Sequence, residues 1–119
     1  MNKTIYVLED DLDIGELVSF LLNEQGYGTT VFGSIASFQQ VATQPPALLI
    51  IDIMLPDGNG LDVCAAWKSD PATQAVPILL MSAYEDYRRD ERALKADDFI
   101  SKPFDIKDFL ARVRMHLGE

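Results

Sequence analysis

Four apolar residues in a row, Leu48-Leu49-Ile50-Ile51, closed by Asp52 and then by the turn-forming run Pro56-Asp57-Gly58-Asn59-Gly60, restrict the fold of this chain more than anything else in it. A run this short, preceded by Pro45-Pro46, reads as a strand buried on both faces, the kind found in parallel sheets covered by helices on each side. Asp52 then lies at the carboxyl end of a central strand, where open α/β sheets place their ligands. An Asp there can equally serve as a turn cap, so the other strand ends have to decide between the two roles.

They follow the same pattern. Ile5-Tyr6-Val7-Leu8 is a first buried strand that breaks at Glu9-Asp10-Asp11, after which Asp11 or Asp13 can cap a helix carrying Ile14, Leu17, Val18, Leu21 and Leu22 and stopped by Gly26. Gly28-Thr29-Thr30-Val31-Phe32 is a more polar strand suited to a sheet edge, and Ser34 caps a second helix with Ile35, Phe38 and Val41 facing inward. After the central strand, Leu61, Val63, Cys64 and Trp67 mark a third helix. Pro77-Ile78-Leu79-Leu80-Met81 is a fourth strand ending on Ser82, and Phe99-Ile100 is a short fifth strand running into Ser101-Lys102-Pro103. Between them, 84–95 is charged with few apolar anchors (Tyr87, Leu94), which predicts a fourth helix that is the least secure of the set. Asp105 caps a fifth helix with Ile106, Phe109, Leu110, Val113 and Leu117 on one stripe. Strand and helix alternate five times, without hairpin signals between strands. The expectation is a doubly wound α/β domain: five parallel strands, helices on both faces, one domain over 1–119.

Four of the five strands end in reactive groups: Glu9-Asp10-Asp11, Asp52, Ser82 and Lys102. In the flavodoxin-like order 2-1-3-4-5 the first and third strands are neighbours at the switch point, so these groups meet on one rim. Clustered carboxylates repel and persist only if protons or a cation neutralise them. All-oxygen donors without His or Cys suit a hard divalent ion, and a few carboxylates completed by water suit magnesium better than calcium. A carboxylate beside magnesium and an ammonium is equipped to attack a phosphoryl group.

Composition removes several alternatives. A net charge of −9 argues against a nucleic-acid surface on this chain, because phosphate backbones are bound through clustered Lys and Arg. The single Cys64 excludes an intrachain disulfide framework and fits a small buried residue in a reducing, cytoplasmic setting. No signal-peptide pattern or membrane-spanning apolar stretch is expected.

Three motifs, Val7-Leu8-Glu9-Asp10-Asp11, Asp52-Ile53-Met54-Leu55-Pro56-Asp57-Gly58-Asn59-Gly60, and Asp97-Asp98-Phe99-Ile100-Ser101-Lys102-Pro103-Phe104, give the chain a full-length resemblance to the response-regulator receiver domains of two-component signalling. The resemblance implies the flavodoxin-like sheet with five helices. It implies Asp52 as phosphoacceptor and magnesium, with manganese as a substitute, on Glu9, Asp10, Asp52 and the Met54 backbone carbonyl. It further implies Lys102 and Ser82 on the phosphate, Ser82 and Phe99 as the switch pair, and a cis peptide before Pro103. The implied partner is a sensor histidine kinase or phosphotransfer protein, and the implied setting is transcription regulation, without membrane association. A symmetric homodimer through the fourth helix, fifth strand and fifth helix would use Arg88, Asp97, Asp98, Asp108 and Arg112. The chain would catalyse only its own phosphorylation and slow dephosphorylation, with Tyr84 shading the acceptor from water. Two departures stand out: Glu9 where Asp is commoner, and Lys95 where a Gly usually lets the fourth helix exit through a left-handed residue. The rivals are a receiver-like docking module, a flavin carrier of the same fold class, which would need a phosphate cradle where this chain has carboxylates, and a magnesium phosphohydrolase, which would need a cap the chain lacks.

Overall fold

The computed structural model describes residues 3–41 and 44–119. In chain order the elements are β1 (Thr4–Leu8), α1 (Leu12–Glu24), β2 (Gly28–Phe32), α2 (Ile35–Val41), β3 (Leu48–Asp52), β4 (Met54–Leu55), β5 (Gly58–Asn59), α3 (Gly60–Ser69), β6 (Ile78–Ser82), β7 (Asp98–Ser101) and α4 (Ile106–His116). Five strands pair in parallel in the order β2-β1-β3-β6-β7. Counted within this sheet the order is second, first, third, fourth, fifth. Counted over all strands it is 2-1-3-6-7, because β4 and β5 form a separate antiparallel ladder just after β3.

All five residues of β3 and of β6 are buried, as expected of strands covered on both sides, whereas β2 exposes Thr30 and Val31 at the sheet edge. Alternation along the strands builds two cores. Leu48, Ile50, Leu79 and Met81 join Val18, Leu22, Phe109 and Val113 beneath α1 and α4. Leu49, Ile51, Ile78 and Leu80 join Phe38, Leu61, Val63 and Cys64 beneath α2 and α3. Each fully buried side chain of this size contributes about 1.5 to 3 kcal/mol by leaving water, so a one-residue register slip would exchange the two cores and is disfavoured.

The caps follow the sequence. The Asp11 carboxylate accepts from the amides of Asp13 and Ile14, Asp105 accepts from Asp108, Ser34 Oγ accepts from the Ser37 amide, and Gly26 ends α1 at φ 91°. Of the three residues expected inward on α2, Phe38 is buried and Ile35 half-buried, while the Val41 side chain lies outside the described residues.

The expected fourth helix is not an α-helix. Residues Glu85–Arg89 and Ala93–Lys95 form two 3-10 turns, leaving four α-helices among the described residues instead of five. With Leu94 73 % exposed, the segment has too few buried anchors to hold a regular helix. It leaves through Ala96 in extended conformation, so Lys95 needs no left-handed residue after it. Among the described residues no helix is long and apolar enough to cross a membrane.

Candidate functional site

Register puts the strand ends together. Leu8 lies opposite Ile51, which carries Glu9 alongside Asp52; Asp52 lies opposite Met81, which carries Ser82 one residue beyond it; and Ser82 lies opposite Ser101, which leads into Lys102. Carboxylate oxygens of Glu9, Asp10 and Asp52 all come within 4.8 Å of one another. Lys102 Nζ sits between two of them, 2.5 Å from Glu9 Oε1 and 2.9 Å from Asp52 Oδ2. The third acid of the first motif, Asp11, is spent on capping α1.

Charge at this rim is strained. Glu9 is 2 % and Asp52 7 % exposed, and Glu9 Oε2 is buried without a hydrogen-bond partner among the described residues. Burial, followed by the neighbouring Asp52, pushes the Glu9 carboxyl up to about 7 against the opposing pull of Lys102. For Lys102, burial alone would lower the ammonium, but Glu9 and Asp52 together outweigh it and hold it above its usual range. One ammonium does not satisfy three carboxylates. The orphaned Oε2, the exposed Asp10 and the all-oxygen donor set fit a hard divalent cation held by Glu9, Asp10 and Asp52.

The loop after β3 is held closely. Asp52 Oδ1 accepts from the Met54 amide at 3.2 Å, and Asn59 Oδ1 caps α3 through the Leu61 amide. At Gly60 a Cβ would stand 2.3 Å from the Asp52 carbonyl oxygen and 2.6 Å from Ile51 Cγ2, so α3 can start against β3 only with glycine there. Asp57, read from the sequence as part of a turn, does more. Its two oxygens accept from the Ile35 and Ala36 amides at the start of α2, 2.9 Å each, and these bonds hold its carboxyl below the usual range.

The remaining expected residues separate into near and remote sets. Buried Ser82 stands at the rim, with its Oγ accepting from the Tyr84 amide at 3.0 Å. Tyr84 is exposed and lines a cleft with Met54. The Lys102–Pro103 peptide is cis. Phe99 is buried away from the rim under the Arg88 guanidinium, 4.3 Å from its ring centre. The charged residues of the expected dimer face are engaged within the chain: Arg88 with Glu85, Asp97 with Lys68, and Arg112 with both Asp98 and Asp108. Sequence reasoning missed the Asp98–His116 contact of 2.9 Å and the Glu85–Ser101 hydrogen bond, both made across elements.

Comparison with known proteins agrees with this geometry. Residues 5–114 match the family described as the response regulator receiver domain. The chain is 36% identical over 120 residues to the DNA-binding response regulator MtrA of Mycolicibacterium paratuberculosis, covering 98% of this chain and 52% of that protein. It is 32% identical over 117 residues to the phosphate regulon transcriptional regulatory protein PhoB of Klebsiella pneumoniae, covering 96% and 51%. The chain thus spans about half the length of the curated relatives it matches. Among solved structures, the response regulator TrrA of Thermotoga maritima in complex with Mg(2+)-BeF superimposes with a TM-score of 0.86 at 27% identity, over 96% of this chain and 98% of that one. On the match over 5–114 and the sheet that brings its strand ends together, this chain belongs to the response regulator receiver domain family.

Proposed function

We propose that Asp52 accepts a phosphoryl group from the phosphohistidine of a partner sensor kinase or phosphotransfer protein. One observation carries the reading: three carboxylates from two adjacent strand ends converge within 4.8 Å, and the only ammonium on them among the described residues, Lys102, touches the carboxylate at the end of the central strand. In the transfer, an Asp52 carboxylate oxygen forms the new bond to phosphorus, and the bond from phosphorus to the donor nitrogen breaks. Its electron pair returns to the leaving imidazole, which takes up a proton.

Glu9, Asp10, Asp52 and the Met54 carbonyl are the residues that would hold magnesium, with manganese as a substitute; TrrA, crystallised with Mg(2+)-BeF, supports the choice. When bound, the ion supplies charge compensation for the phosphoryl oxygens. The chain's own contributions are distinct. Lys102 neutralises the oxygens that face it, and buried neighbours around Asp52 limit water. The exposed Tyr84 ring shades the acceptor and slows hydrolysis.

Phosphorylation adds about −1.5 to −2 charges at Asp52. Drawing Ser82 and Lys102 toward them pulls on β6 and on the residue after β7, and Phe99 on β7 carries the change to the face of the 84–95 segment, β7 and α4. That face then controls an output or symmetric dimerisation. The MtrA and PhoB likeness supports a transcriptional output in the cytoplasm, exercised by a DNA-binding partner region and not by this acidic chain. No turnover of external substrate is proposed.

Incubation with acetyl phosphate or phosphoramidate and magnesium, followed by intact mass measurement, tests the reading. The wild type gains one acid-labile phosphoryl group; Asp52→Asn or a chelator abolishes it. Absence of the gain, or its survival in Asp52→Asn, overturns the proposal.

A further inference from the structure

The β4–β5 ladder that carries Met54 consists of two residue pairs, Met54 with Asn59 and Leu55 with Gly58. A ladder this short has no stability of its own, so its position is set by what it is tied to. Its ends are held by the Ile53 amide on the Met81 carbonyl, the Gly60 amide on the Ile53 carbonyl, the Met54 amide on Asp52, and Asn59 on the first turn of α3. A further tie runs across the molecule. From the tip of the ladder, Asp57 bonds the Ile35 and Ala36 amides through both carboxylate oxygens. Gly58 beside it approaches Ile35 so closely that a Cβ would meet Ile35 Cδ1 at 2.8 Å.

On the other side of this contact, α2 depends on it. The helix has seven described residues and no acid in its own first turn, and a helix of about that size is not stable on propensity alone. Its first four amides are accounted for as follows: Ile35 and Ala36 by Asp57, Ser37 by Ser34 Oγ, and Phe38 by the Ser34 carbonyl. Of the three amides ahead of the first intrahelical bond, two, those of Ile35 and Ala36, are therefore held from the loop that follows the acceptor strand.

We infer that Asp57 is a positioning residue for the cation site, its clamp on α2 fixing the ladder so that Met54 stays in place as a ligand, and that α2 and the cation site are thereby coupled. The inference rests on the functional reading above, which places magnesium on Glu9, Asp10, Asp52 and the Met54 carbonyl. Residues that orient a metal's ligands from outside typically change affinity about 10- to 100-fold, and a backbone ligand held by several other ties besides Asp57 belongs at the low end. Coupling is reciprocal: if the clamp aids magnesium, magnesium must stabilise the clamp.

Calorimetric titration of magnesium into the full chain, without any phosphodonor, reads the effect directly. Asp57→Ala weakens magnesium binding about tenfold; Asp57→Asn, which loses the same charge but keeps one acceptor oxygen, weakens it distinctly less. Hydrogen exchange on the wild type supplies a test that needs no variant: magnesium slows exchange at the Ile35 and Ala36 amides while leaving the middle of α4 unchanged. Unaltered affinity in Asp57→Ala, equal losses in Ala and Asn (an effect of charge alone), or exchange at Ile35 and Ala36 indifferent to magnesium each overturns the inference. A wild type that binds no magnesium overturns the reading of the site beneath it, and the two failures are thus told apart.

Discussion

Glu9 and Asp52 are two nearly buried carboxylates sharing one ammonium, and among the described residues Glu9 Oε2 has nothing to accept from. Such an arrangement favours binding a cation at the expense of the protein that lacks one. Replacing Glu9 by Gln removes the like charge beside Asp52 while leaving a carbonyl oxygen for Lys102. Without divalent ions, Glu9→Gln raises the free energy of unfolding by about 1 kcal/mol, a pKa unit of relieved repulsion corresponding to about 1.4 kcal/mol; with magnesium present the order reverses. Chemical denaturation at neutral pH with and without the ion checks both halves, and a variant less stable than wild type in chelator would contradict the strain. At this scale the sequence was readable because the chemistry sits at strand ends. Runs such as Leu48-Leu49-Ile50-Ile51 declare where the backbone stops being buried, and the next residue is the one presented. The number of partners each acid finds was not readable. Asp11 was legible as a cap of α1, but nothing local says that Glu9 turns to Lys102.

Elements that bury a stripe were legible, and those that rely on contacts across the chain were not. α1 and α4 announce themselves by spacing and by Asp11 and Asp105 at their starts. The 84–95 segment has helix-compatible residues, but its apolar positions do not form a buried stripe, and it settles into 3-10 turns tied down by Arg92 with Asp90 and Asp62. The Asp57 clamp was hidden because its partners lie 21 and 22 residues away. The available clue was complementary: an α2 without acid in its first turn and an unassigned Asp in the Pro56-Asp57-Gly58 turn. The clamp has a pH signature. A carboxyl held below its unfolded value contributes stability above that value and loses it as pH falls through the folded value. The α2 cap is accordingly intact at neutral pH and lost in acid below the ordinary Asp range. Amide shifts of Ile35 and Ala36 followed by NMR will titrate there, and a midpoint at the ordinary Asp value would refute the clamp.

For the molecule as a whole, the two cores hold a rigid sheet while the 84–95 face has the fewest buried anchors, which is the distribution a phosphorylation switch needs. The charges of that face pair within the chain, so a dimer has to exchange Arg112–Asp98 and its neighbours for equivalents on a second copy. Since exposed pairs contribute only about 0 to 1 kcal/mol each, the balance is open to small shifts. Sedimentation should give a monomer alone and a dimer with magnesium and beryllofluoride, and an unchanged monomer would remove dimerisation from the account. The claim on which the rest stands is the identity of the acceptor. Borohydride reduction after exposure to the phosphodonor, with peptide mass mapping, locates an acyl phosphate by converting its residue to the corresponding alcohol. The account predicts homoserine at position 52 and nowhere else; reduction at Glu9, Asp10 or Asp11, or at no carboxylate at all, would contradict it.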